Sequence, residues 1–372
     1  MGKRRNAQEI AQLKLKLKTD RLWSHSRIDT FHNCSYAYLL KYIKNIREKH
    51  VGIYSYLGGA FHDILENYYN NKCSYDSMIQ EVDNILLNTD LSDMRFVKND
   101  EEKHNKIREK YYACIKHFFT NHVPIKQNVL TEKEITVRIL NHWFIGYIDA
   151  VYKEDDIYHI IDYKTSTMFP KNKIPQKGQQ LTLYALFLIQ NGIPASNIRI
   201  KWNFLKYVNV SFIHKGVEKN YNYERHVLVA KLARFIRQDL KELKFSYDVI
   251  TAILETCEQE NSLKNLPQKV QDKYIINDCY VNIPITSSSI MSLQEYLHLT
   301  ILNIFQLEKK YETTHDETPF HKEVCDSDSY WCTNICGYGG HCRCFSAYMS
   351  KKNIFNKEHS NDTDFLKQLG II

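Results

Sequence analysis

Three runs rich in Val, Ile, Tyr and Phe follow one another between residues 129 and 164 with almost nothing between them. VLTEKEITVRIL (129–140), HWFIGYIDAVYK (142–153) and IYHIIDYK (157–164) carry the β-branched and aromatic residues that suit a pleated, half-buried surface. Gaps this short leave no room for a crossover, so the runs are expected to form an antiparallel meander. The hairpin between the second and third turns at Asp155-Asp156. If those two residues are the loop, Glu154 pairs with Ile157. The same register sets Asp149 directly opposite Asp162, with Cβ atoms about 5 Å apart. A four-residue loop leaves the two carboxylates diagonal on one face, and a three-residue loop separates them. Lys164 shares the face of Asp162 because strand side chains alternate.

Like charges facing across a ladder destabilise it, and a divalent cation is the usual compensation. Two carboxylates and an ammonium at one strand mouth suit metal-assisted hydrolysis. The cation polarises a phosphate oxygen and acidifies a bound water, and the lysine orients that water or offsets developing charge. Taken alone, the same trio also describes an exposed hairpin mouth with a salt bridge.

Around the meander the period is helical. Ser26 with Asp29 reads as a capping box for a helix whose apolar side is Ile28, Phe31, Tyr38, Leu39 and Tyr42. GGAFHDILENYYN (58–70) reads as a helix entered at Gly58-Gly59, and further helices fit 75–88 and 101–121. After the meander come a helix closed by Gly192 (178–192), a strand (198–208), and a long helix near 224–244. Residues 3–21 form a basic arm, first read as a solvated tail or helix and second as a phosphate-contacting segment. The net charge of +7 suits a polyanionic partner without requiring one. No run approaches eighteen consecutive apolar residues, and the basic start has no apolar h-region; Asn6 stands where a myristoylation motif wants Ser or Thr. The expectation is a cytoplasmic protein, in a bacterial or phage-infected host cytosol, whose ten cysteines point to metal before disulfide.

Four motifs occur in order along this pattern: GGAFHDILE with His62, GYIDAVY with Asp149, IIDYKTS with Asp162 and Lys164, and QQLTLYA with Gln180 and Tyr184. Together they resemble the PD-(D/E)XK nuclease superfamily, in the RecB-like branch that carries an iron–sulfur cluster (AddB-type and CRISPR-adaptation nucleases). The resemblance runs from about Ser24 to Cys342. It implies an α/β, restriction-endonuclease-like core: helix, three-stranded antiparallel meander, helix, strand, with added helices and a cysteine-rich C-terminal cluster. It implies Mg²⁺ or Mn²⁺ held by His62, Asp149, Asp162 and the Tyr163 backbone carbonyl, with Lys164 as the catalytic lysine. Gln180 and Tyr184, one turn apart on a helix, are implied to hold the lysine and the DNA strand; Tyr184 also fits a core stripe with Leu181 and Leu188. Glu66, one turn beyond His62, reads as a carboxylate behind the ligands or a plain surface acid, and Glu134 is a weaker candidate on the first strand.

The tail, CDSDSYWCTNICGYGGHCRCF, adds a cysteine cluster. By the resemblance, Cys34 joins Cys332, Cys336 and Cys342 around a [4Fe–4S] cluster, with Cys325 and Cys344 as substitutes. Two features depart from the branch: three residues rather than two separate Cys332 from Cys336, and Ser35 stands where a proline often follows the first Cys. Structural Zn²⁺ on Cys325, Cys332, Cys336, His341, Cys342 or Cys344 is the alternative, and it leaves Cys34 unused. Cys73, Cys114, Cys257 and Cys279 are scattered and read as packed or free.

The expected layout is a basic arm (1–22), a nuclease core (23–244) with a helical insertion at about 72–125, and a mostly helical stretch without an assigned role (245–320). A cysteine cluster (321–346) closing onto Cys34 and a tail (347–372) complete it. The expected function is a metal-dependent DNA exonuclease acting on single strands or ends, in recombination, repair or phage DNA metabolism. No GxxxxGK[ST] phosphate loop occurs, so any unwinding falls to a helicase or recombination partner. The rivals are a catalytically silent DNA-binding or assembly subunit and a zinc-stabilised nucleic-acid-binding protein.

Overall fold

Alternating apolar residues and two-residue turns make the meander, and everything else is built on it. The computed structural model describes residues 5–49 and 51–353. Its strands are β1 (Leu22–Trp23), β2 (Leu130–Ile139), β3 (His142–Glu154), β4 (Ile157–Lys164), β5 (Ile198–His214), β6 (Val217–Glu224) and β7 (Ile275–Ile283), all in one mixed sheet. The turn between β3 and β4 is Asp155-Asp156, with Glu154 paired to Ile157 and Ala150 to Ile161. Asp155 takes the positive φ, 51°, that a two-residue hairpin turn needs at its first position. The turn from β2 to β3 is built the same way, with Ile139 paired to His142 and Leu140 at φ 50°.

The helices are α1 (Ala7–Leu17), α2 (His25–Asn33), α3 (Ser35–Tyr38), α4 (Ile53–Tyr69), α5 (Tyr75–Leu91), α6 (Glu101–Asn121), α7 (Ile174–Lys177), α8 (Gln179–Gln190), α9 (Leu228–Glu242), α10 (Tyr247–Glu260), α11 (Gln268–Gln271), α12 (Ser287–Thr314) and α13 (Asp326–Asn334). The expected order of helix, antiparallel meander, helix and strand is present: α4, β2–β4, α8 and β5. β5 lies parallel to β4, which the intervening α8 permits, and β6 and β7 flank β5 antiparallel. One face of the sheet packs on α2, α3, α8 and α12, through residues such as Ile28, Ile160, Leu181 and Leu297. The other packs on α4, α5 and α6 through Phe61, Val82, Phe118 and Ile161. A third core joins the far half of β5 to α9 and α10.

The helix after β1 is capped by Ser24, whose side chain accepts from Arg27 N, and not by Ser26 with Asp29. α4 begins at Ile53, five residues before the expected start. Ile53 and Leu57 are buried, so their contacts carry the helix through Gly58 and Gly59 despite a cost of about 1 kcal/mol per glycine. The stretch 245–320 is not an appendage: β7 within it extends the sheet, and α12 packs on α8 and α2. The basic arm forms α1 behind an Asn6–Glu9 capping box and buries only Leu13. Lys3 and Arg4 of that arm, and the tail from 354, lie outside the described residues.

Candidate metal and catalytic site

The meander delivers its acidic residues to one mouth. Asp162, two residues before the end of β4, is almost fully buried, 1% exposed, and Lys164 Nζ lies 2.5 Å from its Oδ2. Burial pulls the Lys164 ammonium down, but Asp162 and Asp149 outweigh it and hold the group above the usual lysine range. Asp149 is the next residue along from the Ala150–Ile161 pair, and its Oδ2 accepts a 2.9 Å hydrogen bond from Tyr163 N. Burial, with Asp162 adding to it, pushes the Asp149 carboxyl up to about 6, against the opposing pull of His62 and Lys164.

α4 brings His62 to the same place. Its Nε2 lies 2.9 Å from the Tyr163 carbonyl, which only accepts, so Nε2 is the donor. In the neutral ring the Nδ1 lone pair then faces Asp149 Oδ2 at 3.5 Å. Two acceptors in opposition need a cation, a second ring proton or a proton on the carboxyl between them. Glu132 completes the group: ligand atoms of His62, Glu132 and Asp149 all lie within 4.8 Å of one another. Glu132 takes a φ of 46° inside β2, flanked by the pairs Thr131–Ala150 and Lys133–Ile148, which sets it across from Asp149.

His62 and Asp149 stand together, Glu132 joins them, and the Tyr163 carbonyl is occupied by His62. Asp162 lines the same cleft, of about 420 Å³, but its carboxylate rests on Lys164. Gln180 and Tyr184 line it from α8, joined by a 2.7 Å hydrogen bond from Gln180 Nε2 to the Tyr184 hydroxyl. Tyr184 fits because the residue opposite is Gly146, where a Cβ would lie 3.1 Å from the Tyr184 ring. Glu134 sits outside the cleft, drawn off by Arg5 at 2.8 Å and Tyr147 at 3.3 Å. Glu66 is buried on α4 with Lys72 4.0 Å away, and it does not line the cleft either.

Two site residues went unread in the sequence. Glu132 was legible: counting back from the two-residue turn Leu140-Asn141 places it opposite Asp149, as the other hairpin places Asp162. His25, the first residue of α2, lines the cleft with a buried Nε2 that has no hydrogen-bond partner. Burial lowers its imidazole to about 4, with Asp29 opposing and Lys164 reinforcing the shift. A lone histidine after a short strand gave no sequence signal.

The cysteines gather at the opposite end of α2. Burial raises all four thiols expected to act together, to about 12 for Cys332 and about 11 for Cys342. Cys34, Cys336 and Cys342 all act on Cys332 in turn, so they are electrostatic neighbours despite their distance in sequence. Two sulfurs already accept backbone hydrogen bonds at 3.4 Å, Cys34 from Ala37 N and Cys342 from Phe345 N. Cys344 neighbours Cys34 and Cys342, whereas exposed Cys325 caps α13 and pairs with Ser327 and Asp328. Tetrahedral zinc holds its sulfurs about 3.8 Å apart. Among the described residues, no three ligand atoms in this cluster come within 4.8 Å of one another. The tail is strapped to the N-terminal helices by Ser35 Oγ to Phe320 O (2.9 Å), Lys49 N to Gly337 O (3.1 Å) and Lys98 N to Asn334 Oδ1 (2.9 Å). Cys114, Cys257 and Cys279 are buried and Cys73 is half-buried, all as free thiols.

A family model described as the PD-(D/E)XK nuclease superfamily matches residues 22–259, more than half of the chain and every cleft residue named above. No curated protein matches the chain. Among the described residues, no helix is long and apolar enough to cross a membrane.

Proposed function

The chain belongs to the PD-(D/E)XK nuclease superfamily, and from that premise we propose that it is a metal-dependent DNA exonuclease of RecB-like type, acting on single strands or ends. One observation carries the metal reading: His62 Nδ1 and Asp149 Oδ2 face each other as acceptors, with Glu132 in the same group. These three fit a hard cation, Mg²⁺ or Mn²⁺, with Asp162 as a fourth ligand once it leaves Lys164. Such an ion polarises a phosphate oxygen and acidifies a bound water.

The protein's own part is positional. His62 is oriented through its Nε2–H bond to the Tyr163 carbonyl, which aims Nδ1 into the cleft. Lys164 keeps its proton and offers it as a hydrogen-bond donor to the charge that develops on the phosphate as water attacks phosphorus and the P–O bond to the leaving strand breaks. Gln180 and Tyr184 form the wall along which the substrate backbone lies.

The reading extends to a [4Fe–4S] cluster on Cys34, Cys332, Cys336 and Cys342, with a structural role in clamping the two chain ends. It is supported by Cys34, Cys336 and Cys342 all acting electrostatically on Cys332, which makes the four thiols neighbours. The deciding experiment is digestion of end-labelled single- and double-stranded DNA with Mg²⁺ or Mn²⁺, beside Asp162→Ala. Stepwise shortening that stops in the variant supports the proposal, and an Asp162→Ala protein cutting at the wild-type rate rejects it. Purified protein with stoichiometric zinc and no broad absorbance near 400 nm rejects the cluster.

A further inference from the structure

Lys164 is held by a partner that the proposed metal reading takes away. Its ammonium rests on Asp162, and a cation that claims Asp162 both removes that carboxylate and repels the ammonium. The lysine then needs another acceptor within its reach, since its side chain is only 26% exposed and partial burial makes an unpaired charge costly.

His25 supplies one. It lines the cleft beside Lys164, and both also line the adjoining trough of about 310 Å³ between α2 and the 165–177 loop. Ser26, shared by both cavities, is exposed, and Gln180 is already bonded to Tyr184; Asp29 lines the trough with Lys164 and His25 but not the cleft, so His25 is the acceptor that reaches both. The Nε2 of His25 is buried with no partner, and orphaned buried polar atoms are rare enough to call for an explanation. A neutral imidazole protonated at Nδ1 presents its lone pair there.

We propose that His25 is the second seat of Lys164: its Nε2 accepts from Nζ when Asp162 turns to the cation, and so fixes the ammonium beside the phosphate. His25 is a positioning residue, acting through Lys164 without ligating the metal. The inference rests on the metal reading above.

The test is a double-mutant cycle on Mn²⁺ affinity, measured by calorimetry on the full chain without DNA. His25→Ala should weaken Mn²⁺ about tenfold, since the displaced lysine has lost a charge-assisted hydrogen bond and returns to compete for Asp162. In a Lys164→Ala background the same substitution should change nothing. With DNA, His25→Ala should lower kcat with little change in KM, and His25→Gln, which keeps an acceptor, should restore most of both effects. If His25→Ala fails to fold, His25→Leu replaces it as the acceptor-free member of the cycle. Equal losses in both backgrounds, or no loss in either, would overturn the role of His25 alone. A wild-type protein that binds no Mn²⁺ would overturn the metal reading and this inference with it.

Discussion

Replacing Asp149 by Asn should stabilise the metal-free protein above pH 6 and leave it unchanged near pH 4. In the folded protein the carboxyl sits at about 6, raised from an ordinary 3.8. Below 3.8 it is protonated in both folded and unfolded chains, so burial costs nothing there. Between 3.8 and 6 the unfolded chain ionises while the folded one keeps its proton, and stability falls as pH rises. Above 6 the loss is complete, and two pKa units correspond to roughly 3 kcal/mol. The Asp149 side chain is still 12% exposed, so water reduces this toward about 2 kcal/mol. An Asn carbonyl at the Oδ2 position can keep the bond from Tyr163 N while the buried charge is removed. The assay is urea unfolding in EDTA at pH 4, 5, 6 and 7.5, with the variant gaining about 2–3 kcal/mol at the top of the range. Mg²⁺ or Mn²⁺ at about a thousand times its Kd should then reverse the order, since it adds about 4.1 kcal/mol to the wild type alone. A difference between the two proteins that does not vary with pH, or a less stable variant at pH 7.5 without metal, would refute the reasoning.

Lys164→Ala should abolish cleavage of labelled DNA yet retain Mn²⁺ binding by calorimetry, because an ammonium is no ligand for a hard cation. Gly146→Ala should cost about 1–3 kcal/mol in urea unfolding and slow digestion by about tenfold, since the new methyl displaces Tyr184 and with it Gln180. Cys34→Ser should lower iron content and melting temperature together, read by metal analysis and calorimetry, because one sulfur is lost from the far side of the clamp.

What the sequence made legible was local. A two-residue turn leaves only one register, so the Asp155-Asp156 dipeptide was enough to bring Asp149 and Asp162 together. Glu134, a weaker candidate on β2, lies two residues from Glu132, whose carboxylate gathers with the ligand atoms of His62 and Asp149. The turn at Leu140-Asn141 points to Glu132, and a positive φ inside a strand is invisible to pattern reading. β6, VEKNYNYE, lacks the β-branched density of the meander; it is a solvent-facing hairpin partner, and only the Lys215-Gly216 turn before it hints at pairing. β7 is separated from its neighbour β5 by three helices, and no local signal specifies a pairing at that distance. The cysteines differ: no local pattern links residue 34 to 332, the resemblance alone put them together, and contacts such as Lys49 with Gly337 tie these two parts of the chain.

The opening hairpin explains why its charges are tolerable at all. Asp162 is nearly sealed from water, and Asp149 holds its proton to about pH 6, so one lysine and, below that pH, one carboxyl proton offset the two carboxylates. Both are replaceable. On the proposed metal reading, a bound cation would take the place of the Asp149 proton and of Lys164 at Asp162, one strong compensation for two weak ones. The ammonium would then be free to face a bound phosphate, which is where a reaction at phosphorus needs positive charge. The rigid parts of the arrangement are backbone features: the two-residue turns, the φ of Glu132 and the Tyr163 peptide, whose N–H holds Asp149 and whose carbonyl holds His62. Because one peptide group orients both ligands, a shift of β4 along β3 would disturb them together, and the register of that hairpin is as much a part of the site as its side chains.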